Sequence, residues 1–334
     1  MTVVTHAPAL DVDGLTVDIR TPSGTVRAVD GVSFGARSGR TLALLGESGC
    51  GKSLTAQALV GLLEPVASVS GGAVRLAGTD LVTAGRAARR RLAGPGLAIV
   101  FQDALTALNP VYTVGTQLAE PFRIHSGMSR RAARAEAVRL MGRVGIPSPE
   151  TRVDAYPHQF SGGMRQRLLI AMAVALNPAV LLADEPTTAL DVTVQAQIMQ
   201  LLRELRTERD MAVVLITHDL ALVAEEADDV VVMYAGTVVE AGPVAEVFSR
   251  PHHPYTRGLL DSVPARVPKG VPLASIGGSP PELRAIPAAC VYQDRCPLVQ
   301  DVCRARRPAE RADATGRRVA CHRAGELGFQ EVPS

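Results

Sequence analysis

The sequence predicts an α/β protein built on a mostly parallel sheet. Two observations predict this fold class: short apolar runs alternate with helical patterns, and one run leads into a glycine-rich loop followed by a helix. Apolar runs separated by helices are typical of strands that are buried on both faces. The runs expected to form the parallel core are 41–45, 97–101, 179–183, 212–216 and 229–234.

Other segments predict what surrounds this core. Residues 9–38 alternate apolar and polar positions, which indicates antiparallel strands, and 72–78 adds another strand. Residues 113–176 are helical in pattern and rich in Arg and Ala, so we expect a helical insertion between the second and third core strands. After about residue 250 proline and glycine become frequent and the alternation of strands and helices stops. A second, smaller module is expected there.

Size and composition narrow the class of protein. The 334 residues suffice for one large domain and an appendage, and 47% hydrophobic with 20% charged residues is ordinary for a soluble protein. The net charge of +2 indicates no nucleic-acid partner, and the arginines of 86–91 predict a solvated helix face. The sequence has no signal-peptide pattern and no apolar stretch of membrane-spanning length. We therefore expect a cytosolic chain that reaches a membrane through partners.

The glycine-rich loop has the G-x-x-x-x-G-K-S pattern of a phosphate-binding loop. Its glycines allow a tight turn whose N–H groups cradle the phosphates of a nucleoside triphosphate, and the following helix N-terminus adds to the attraction. Lys52 supplies positive charge, and the Ser53 hydroxyl can bind Mg²⁺. Cys50 serves as a small residue whose thiol pKa the helix N-terminus can lower. The loop is Gly46, Glu47, Ser48, Gly49, Cys50, Gly51, Lys52 and Ser53.

Two more polar sites lie beside apolar segments. The apolar strand 180–183 leads into Asp184, which can bind Mg²⁺, and Glu185, which can orient an attacking water as general base. The Ser161-Gly162-Gly163 sequence opens an apolar helix, 168–176, and a helix N-terminus with a hydroxyl and two glycines favours an anion.

These motifs together resemble those of a known family. Residues 10–250 resemble the nucleotide-binding domain of ABC transporters, and the finer pattern resembles the ATP-binding subunits of bacterial dipeptide/oligopeptide permeases. The implied fold is a RecA-like P-loop NTPase with an antiparallel β subdomain, a helical subdomain and a small cysteine-bearing C-terminal extension. The expected boundaries are 9–250 for the nucleotide-binding domain, about 104–176 for its helical subdomain and 251–334 for the extension. The motifs that carry the resemblance are GESGCGKS (46–53), VFQD (100–103), ALTALNP (104–110), SGGMRQ (161–166), ADEP (183–186), ALD (189–191) and the histidine after VVLIT, His218.

The resemblance implies a role for each matching residue. Asp184 corresponds to the Walker B aspartate, and Gln102 to a glutamine that meets Mg²⁺ and senses the membrane subunit. His218 corresponds to a histidine that contacts the γ-phosphate, and Asp191 to the D-loop aspartate. Ser161, Gly162 and Gly163 correspond to a signature that caps the ATP held by a partner subunit in a head-to-tail dimer. The catalytic residues are then Glu185, His218 and Lys52, and the Mg²⁺ ligands are Ser53, Gln102 and Asp184.

One position departs from the family. Its members place an aromatic residue before the phosphate loop to stack on adenine, and 21–27 (TPSGTVR) contains none. Pro22 or Val26 is expected to pack on the base instead.

Four of the five cysteines lie in the C-terminal module. The module begins with HHPYTRGLLDSVP (252–264), which resembles the segment that follows the nucleotide domain in peptide-permease ATPases, and family members with this cysteine pattern are associated with a 4Fe–4S cluster. Four thiolates suit such a cluster; zinc, which more often takes closely spaced Cys pairs, and unliganded thiols are the alternatives. The cysteines are Cys290, Cys296, Cys303 and Cys321.

The predicted function is ATP hydrolysis that energises import of dipeptides or oligopeptides. The implied partners are a homologous ATP-binding subunit in a heterodimer, two transmembrane permease subunits and an extracellular substrate-binding protein, with the chain at the cytoplasmic face of the membrane. One alternative is an importer ATPase for another small solute such as nickel. A second is a soluble ABC ATPase of translation or DNA repair, although the sequence has neither a second cassette nor a long coiled coil. A third is a metal-binding regulatory protein, against which Glu185 and His218 argue.

Overall fold

The computed structural model describes residues 8–188, 190–263, 275–282, 284 and 286–328. Two predicted segments fall partly outside this range, at Ala189 and Pro264. The chain divides into two compact units. Among the described residues, the first unit comprises those up to Leu10 together with Ala36–Arg40 and Arg75–Leu215. The second comprises Asp11–Gly35, Thr41–Val74 and those from Ile216 onward.

The first unit is mainly helical. Its strands β6 and β7 pair in parallel, with Leu97 opposite Val180 and Val100 opposite Ala183. Only helices and turns separate these two strands along the chain, as the helical pattern of 113–176 predicts. The unit contains β5 (Thr79–Asp80), β6 (Leu97–Val100), β7 (Val180–Asp184), most of β8 (Ala212–Thr217), and the helices α2 (Arg86–Leu92), α3 (Ala104–Ala107), α4 (Val114–His125), α5 (Arg130–Arg143), α6 (Pro149–Arg152), α7 (Gly162–Val174) and α8 (Val192–Arg209).

Local sequence explains where several of these helices begin. Thr113, Ser129 and Ser161 precede α4, α5 and α7, and each side chain accepts a hydrogen bond from a backbone N–H in the first turn. Helix α7 therefore begins at Gly162, six residues before the apolar run that marked it in the sequence. Helix α2 buries none of its residues, which agrees with the expected solvated face of arginines.

The second unit is built on two sheets. One contains the neighbours β2, β1 and β4 in that order, and a two-residue turn joins β1 to β2. In the other, the order is β11-β12-β10-β9-β3, with β3 parallel to β9 and the other pairs antiparallel. The strands are β1 (Leu10–Thr21), β2 (Gly24–Ala36), β3 (Thr41–Leu45), β4 (Ala67–Leu76), β9 (Asp229–Tyr234), β10 (Thr237–Pro243), β11 (Arg311–Ala312) and β12 (Arg318–Val319).

The C-terminal residues pack on this second sheet. Tyr292 lies against Tyr234 of β9 and against Tyr255, with ring centroids 5.1 and 5.4 Å apart. Cys290 and Cys303 belong to the same apolar core as residues of β3 and β9. Described residues after 250 therefore share a core with the phosphate-loop strand and form short elements that the sequence did not predict. The helices of the unit are α1 (Lys52–Val60), α9 (Leu220–Glu226), α10 (Val244–Ser249), α11 (Pro254–Asp261) and α12 (Asp301–Ala305).

Within the described residues, no helix combines the length and the apolar character that crossing a membrane requires.

A buried histidine at the start of α11 makes the stability of the second unit depend on pH. His253 is 1% exposed, its Nδ1 accepts a hydrogen bond from the Tyr255 N–H at 3.1 Å, and burial lowers its pKa to about 3. In the unfolded chain a histidine binds a proton below about pH 6.5. The unfolded state therefore binds more protons than the folded state between those values, and the free energy of unfolding falls as the pH decreases through that window.

We expect His253→Asn to flatten this dependence. Asparagine retains a side-chain acceptor for the helix cap but does not titrate, so the slope of unfolding free energy against pH should decrease by about 1.4 kcal/mol per pH unit. Denaturant titrations between pH 4 and 7, read by circular dichroism, measure the slope. His125→Asn on α4 provides a matched control, since it makes the same substitution at an exposed position away from this core. Equal slopes in wild type and His253→Asn would contradict the assignment.

Candidate functional site

The phosphate loop joins β3 to α1 in the second unit. Gly49 and Gly51 have φ angles of +80° and +100°, which a residue with a side chain adopts only with strain. A Cβ on Gly46 would collide with the carbonyl oxygen of Met233, so glycine is also needed there for close packing on β9. The sequence thus folds this loop into a tight turn at the N-terminus of α1, where a helix attracts an anion.

Lys52 places a positive charge inside the loop. Its side chain is buried, and Nζ donates hydrogen bonds to the carbonyl oxygens of Gly46 at 2.8 Å and Glu47 at 2.9 Å. These contacts hold the ammonium over the turn that the glycines form. The loop and the charge together suit a phosphate group.

The Cys50 thiol does not have the lowered pKa that its place before a helix suggested. Burial raises its pKa, and the nearby Lys52 ammonium opposes this effect only in part. The reason is that the free energy lost when a thiolate is removed from water exceeds the stabilisation that the helix N-terminus and the Lys52 ammonium give to it. Cys50 is therefore suited to the role of a small, buried packing residue in the loop.

The second residue of the loop is held by the C-terminal residues. The Arg295 guanidinium donates two hydrogen bonds to the Glu47 carboxylate, at 2.6 and 3.0 Å, and its side chain is only 5% exposed. The Tyr255 hydroxyl accepts a third hydrogen bond, from the Glu47 N–H at 3.0 Å. The ion pair with Glu47 raises the pKa of Arg295. The residue next to Cys296 therefore fixes the phosphate loop, a contact that the sequence analysis missed.

The first unit brings Gln102 and Glu185 together. Gln102 Nε2 donates to Glu185 Oε2 at 2.7 Å, and Thr188 Oγ1 donates to the same oxygen at 2.9 Å. Glu185 has φ of +45°, a left-handed conformation that a glutamate adopts only with strain and that clusters at functional sites. Asp184, the preceding residue, is buried at the end of β7. The carboxylate of Glu185 is thus held in one orientation by two neutral donors.

Two helix N-termini of the first unit pack together. Ser161 caps α7 by accepting a hydrogen bond from the Met164 N–H, and Asp191 caps α8 by accepting one from the Val194 N–H at 3.0 Å. A Cβ on Gly163 would lie 2.7 Å from Cγ1 of Val194, so glycine at this position allows the two helix starts to touch. The predicted signature, Ser161–Gly163, therefore lies beside the N-terminus of α8, which the predicted D-loop residue Asp191 caps.

The remaining predicted ATP-site residues lie in the second unit. His218 is exposed and directly follows β8, and Asp219 after it caps α9 by accepting hydrogen bonds from Ala221 and Leu222. The structure thus places residues 46–53 and His218 in the second unit, and Gln102, Ser161–Gly163, Asp184, Glu185 and Asp191 in the first.

The four C-terminal cysteines line one small cavity of the second unit. Its volume is about 10 Å³, room for about one water, and His253, Tyr292 and Arg323 also face it. Burial raises the pKa values of Cys290 and Cys296, and raises that of Cys321 to about 11. In the described part of the chain, no three His, Cys, Asp or Glu side chains are arranged to hold a metal ion.

Comparison with known proteins places this site in a family. The ABC transporter family matches residues 29–188, and the C-terminal region of oligopeptide/dipeptide transporters matches residues 239–303. The dipeptide transport ATP-binding protein DppD of Bacillus subtilis is 48% identical over 313 residues, which are 93% of this chain and 93% of that protein. The chain belongs to the ABC transporter family. A putative peptide import ATP-binding protein of Brucella abortus is 50% identical to this ABC ATPase over 297 residues, 89% of this chain and 90% of that protein.

Solved structures give the same fold. The ABC ATPase resembles the ATP-binding cassette MJ0796, a dimer bound to ADP and phosphate, with a TM-score of 0.63 and 25% identity over 70% of this chain and 98% of that chain. It also resembles CbiO1 of Clostridium perfringens, part of an ABC transporter complex, with a TM-score of 0.62 and 29% identity over 73% of this chain and 92% of that chain. The predicted ABC cassette fold is confirmed.

Proposed function

We propose that this ABC ATPase hydrolyses ATP to energise import of dipeptides or oligopeptides. The observation that carries the proposal is similarity to dipeptide and peptide import ATP-binding proteins over nine-tenths of the chain, including the C-terminal region. Its proposed partners are a homologous ATP-binding subunit, two transmembrane permease subunits and an extracellular substrate-binding protein. Its proposed place is the cytoplasmic face of the membrane. The proposed boundaries are residue 250 for the end of the cassette and 251–334 for the extension.

The proposed role of the loop residues 46–53 is to bind the phosphates of ATP. The Lys52 ammonium, which lies within the loop, and the N-terminus of α1 support this role, because both attract phosphate oxygens. Ser53, Gln102 and Asp184 are the proposed Mg²⁺ ligands, and their hard oxygen donors suit that ion. Bound Mg²⁺ supplies neutralisation of the charge that develops on the phosphoryl oxygens. His218 has the proposed role of contacting the γ-phosphate.

Glu185 is the proposed general base. Its carboxylate is oriented by Gln102 and Thr188, so it is prepared to accept a hydrogen bond from water in one direction. Gln102 then has a second role as a positioning residue. If Gln102 moves when a membrane subunit docks, the orientation of Glu185 changes with it, which links docking to hydrolysis.

Ser161, Gly162 and Gly163 have the proposed role of capping the ATP of a partner subunit. The N-terminus of α7 carries them, and the capped start of α8, with Asp191, lies against it. A helix N-terminus suits an anion. In the proposed head-to-tail dimer, ATP joins the two cassettes and hydrolysis releases them.

The four C-terminal cysteines are the proposed ligands of a 4Fe–4S cluster. Four thiols converging on one buried cavity support this donor set. The Arg323 N–H, which donates to Cys321 Sγ at 3.4 Å, would stabilise a thiolate there. The 10 Å³ cavity means that the thiols must spread apart to admit the cluster. Such a cluster would join α12 and the β11–β12 hairpin to the core.

We expect anaerobically purified protein to show the visible absorption of thiolate-bound iron, with iron and sulfide in equal amounts. Cys303→Ser should lose most of this iron, because three thiolates hold a cluster less tightly than four. Cys50→Ala is the matched control, since Cys50 lies in the phosphate loop, and it should retain the absorption. Colourless, iron-free wild-type protein, or protein that contains zinc instead, would contradict the cluster.

The cargo is tested with vesicles that contain the chain and its permease subunits. The proposal predicts ATP-dependent accumulation of a labelled dipeptide, reduced by excess unlabelled peptide and unaffected by nickel. Accumulation of nickel but not peptide would assign the alternative importer. ATP hydrolysis that neither cargo stimulates, with no transport, would favour a soluble ABC ATPase.

A further inference from the structure

The segment that lacks the expected aromatic residue faces a cavity of the second unit. The cavity has a volume of about 380 Å³, which lies within the range of small-molecule sites. Residues 23–27 form part of its wall. Pro22 and Val26 were both expected to pack on a base, and of these two Val26 lines the cavity whereas Pro22 does not. The cavity is therefore a candidate site for the part of a nucleotide that the phosphate loop does not hold.

The cavity lies beside the phosphate loop. The Gly236 N–H donates to the Cys50 carbonyl oxygen at 3.0 Å, and the Asp30 N–H donates to the Gly236 carbonyl oxygen at 2.8 Å. Asp30, which takes part in these hydrogen bonds, lines the cavity, and so does Ala235, which precedes Gly236 in the chain. Backbone hydrogen bonds thus connect the residues that line the cavity to Cys50 of the phosphate loop. A nucleotide with its phosphates in the loop can extend its base in this direction.

Residues of the C-terminal module also line the cavity. Ile286 and Pro287 are half-buried and line the cavity, and Arg307 lines it with its guanidinium paired to the Asp30 carboxylate. The cavity is thus lined by aliphatic side chains from both segments and by charged groups, among them the planar guanidinium of Arg307. These surfaces suit a flat aromatic base, because aliphatic groups cover its faces and a guanidinium stacks on a π system.

We propose that the C-terminal module completes the adenine site of this ATPase. Ile286, Pro287 and Arg307 line the cavity together with Val26, and these side chains replace the missing aromatic residue. The inference rests on the proposed binding of ATP by the phosphate loop and adds the residues that hold its base. It also gives the module a function in nucleotide binding besides its cysteines.

A single tryptophan reports directly on occupancy of this cavity. The chain contains no tryptophan, so Ala288→Trp, at an exposed position of the cavity wall, introduces one fluorophore. We expect ATP to quench its emission with the dissociation constant that calorimetry gives, because the base stacks beside the indole. Inorganic tripolyphosphate, which has no base, should bind without quenching. Tyr112→Trp, on an exposed loop of the first unit, is the control and should respond to neither ligand.

The outcomes separate this inference from the function on which it rests. Normal ATP binding by calorimetry without quenching at Ala288→Trp would overturn the base site and leave ATP binding intact. Equal quenching by ATP and tripolyphosphate would also overturn it, since the signal would not require a base. Absence of binding by either ligand in the wild type would instead overturn nucleotide binding by the phosphate loop.

A second variant tests the stacking contact without a large side chain. Arg307→Lys keeps the charge opposite Asp30 but removes the planar guanidinium, so ATP affinity should fall roughly two- to fivefold. Affinity for tripolyphosphate should not change. Arg304→Lys is the matched control on α12, where Arg304 is exposed and pairs with Asp294 at 3.7 Å. Unchanged ATP affinity in Arg307→Lys, or an equal loss for tripolyphosphate, would overturn the assignment of Arg307.

Discussion

Replacing Glu185 by glutamine is expected to lower the rate of ATP hydrolysis roughly a thousandfold while leaving ATP binding intact. Glutamine keeps the size of the side chain and can still contact Gln102 and Thr188, which now donate to the Glu185 carboxylate. It cannot accept the proton of the attacking water, so only the chemical step should slow. Phosphate release from purified protein measures the rate, and calorimetry measures binding.

The control for this variant is Glu150→Gln in the first turn of α6, where Glu150 is exposed. This substitution makes the same chemical change away from the site and should leave hydrolysis unchanged. Wild-type turnover in Glu185→Gln would remove Glu185 from the role of general base. A loss of ATP affinity equal to the loss of rate would show that the residue acts in binding.

Breaking the buried ion pair between Glu240 and Arg317 is expected to lower the free energy of unfolding by about 3–5 kcal/mol. Glu240 is 0% exposed and Arg317 is 3% exposed, and their closest atoms are 2.5 Å apart. Glu240 also accepts hydrogen bonds from the N–H groups of His252 and His253. Arg317→Ala therefore leaves a buried carboxylate without its cation, beside the β10–β12 pairing.

Denaturant unfolding of Arg317→Ala measures this effect. The double variant Glu240→Gln/Arg317→Met should recover much of the loss, because it removes both charges together. Arg304→Ala removes an exposed arginine and should change stability by less than about 0.5 kcal/mol. Equal stability of Arg317→Ala and wild type would contradict the account of how the C-terminal strands attach to β10.

Short sequence patterns predicted the strands and the tight turn whose conformation depends on residues close together in the sequence. The bounds of β3 and β9 agree with the apolar runs 41–45 and 229–234, because full burial of a short strand selects apolar residues at every position. The glycines of 46–51 predicted the tight turn for a similar reason, since only glycine fits its φ angles and close contacts. The α1 helix ends at Val60, because Gly61 adopts a left-handed conformation that closes the helix.

Long-range contacts could not be predicted in this way. Glu47 and Arg295 are 248 positions apart, and nothing around either residue indicates its partner. Strand β12 consists of two residues and pairs with β10, which is distant in the sequence. A strand of two residues is too short for its pattern to be recognised in the sequence. For Cys50 the sequence indicated the effect of the helix N-terminus, but burial, which depends on the whole core, decided the pKa.

The proposed conversion of ATP hydrolysis into peptide import is tested most directly by uptake into proteoliposomes. The vesicles contain the chain, its homologous ATPase and the permease subunits, with the substrate-binding protein and a labelled dipeptide outside and ATP inside. We expect dipeptide accumulation that requires ATP and is abolished by Glu185→Gln. Accumulation that proceeds equally without ATP, or equally with Glu185→Gln, would contradict it.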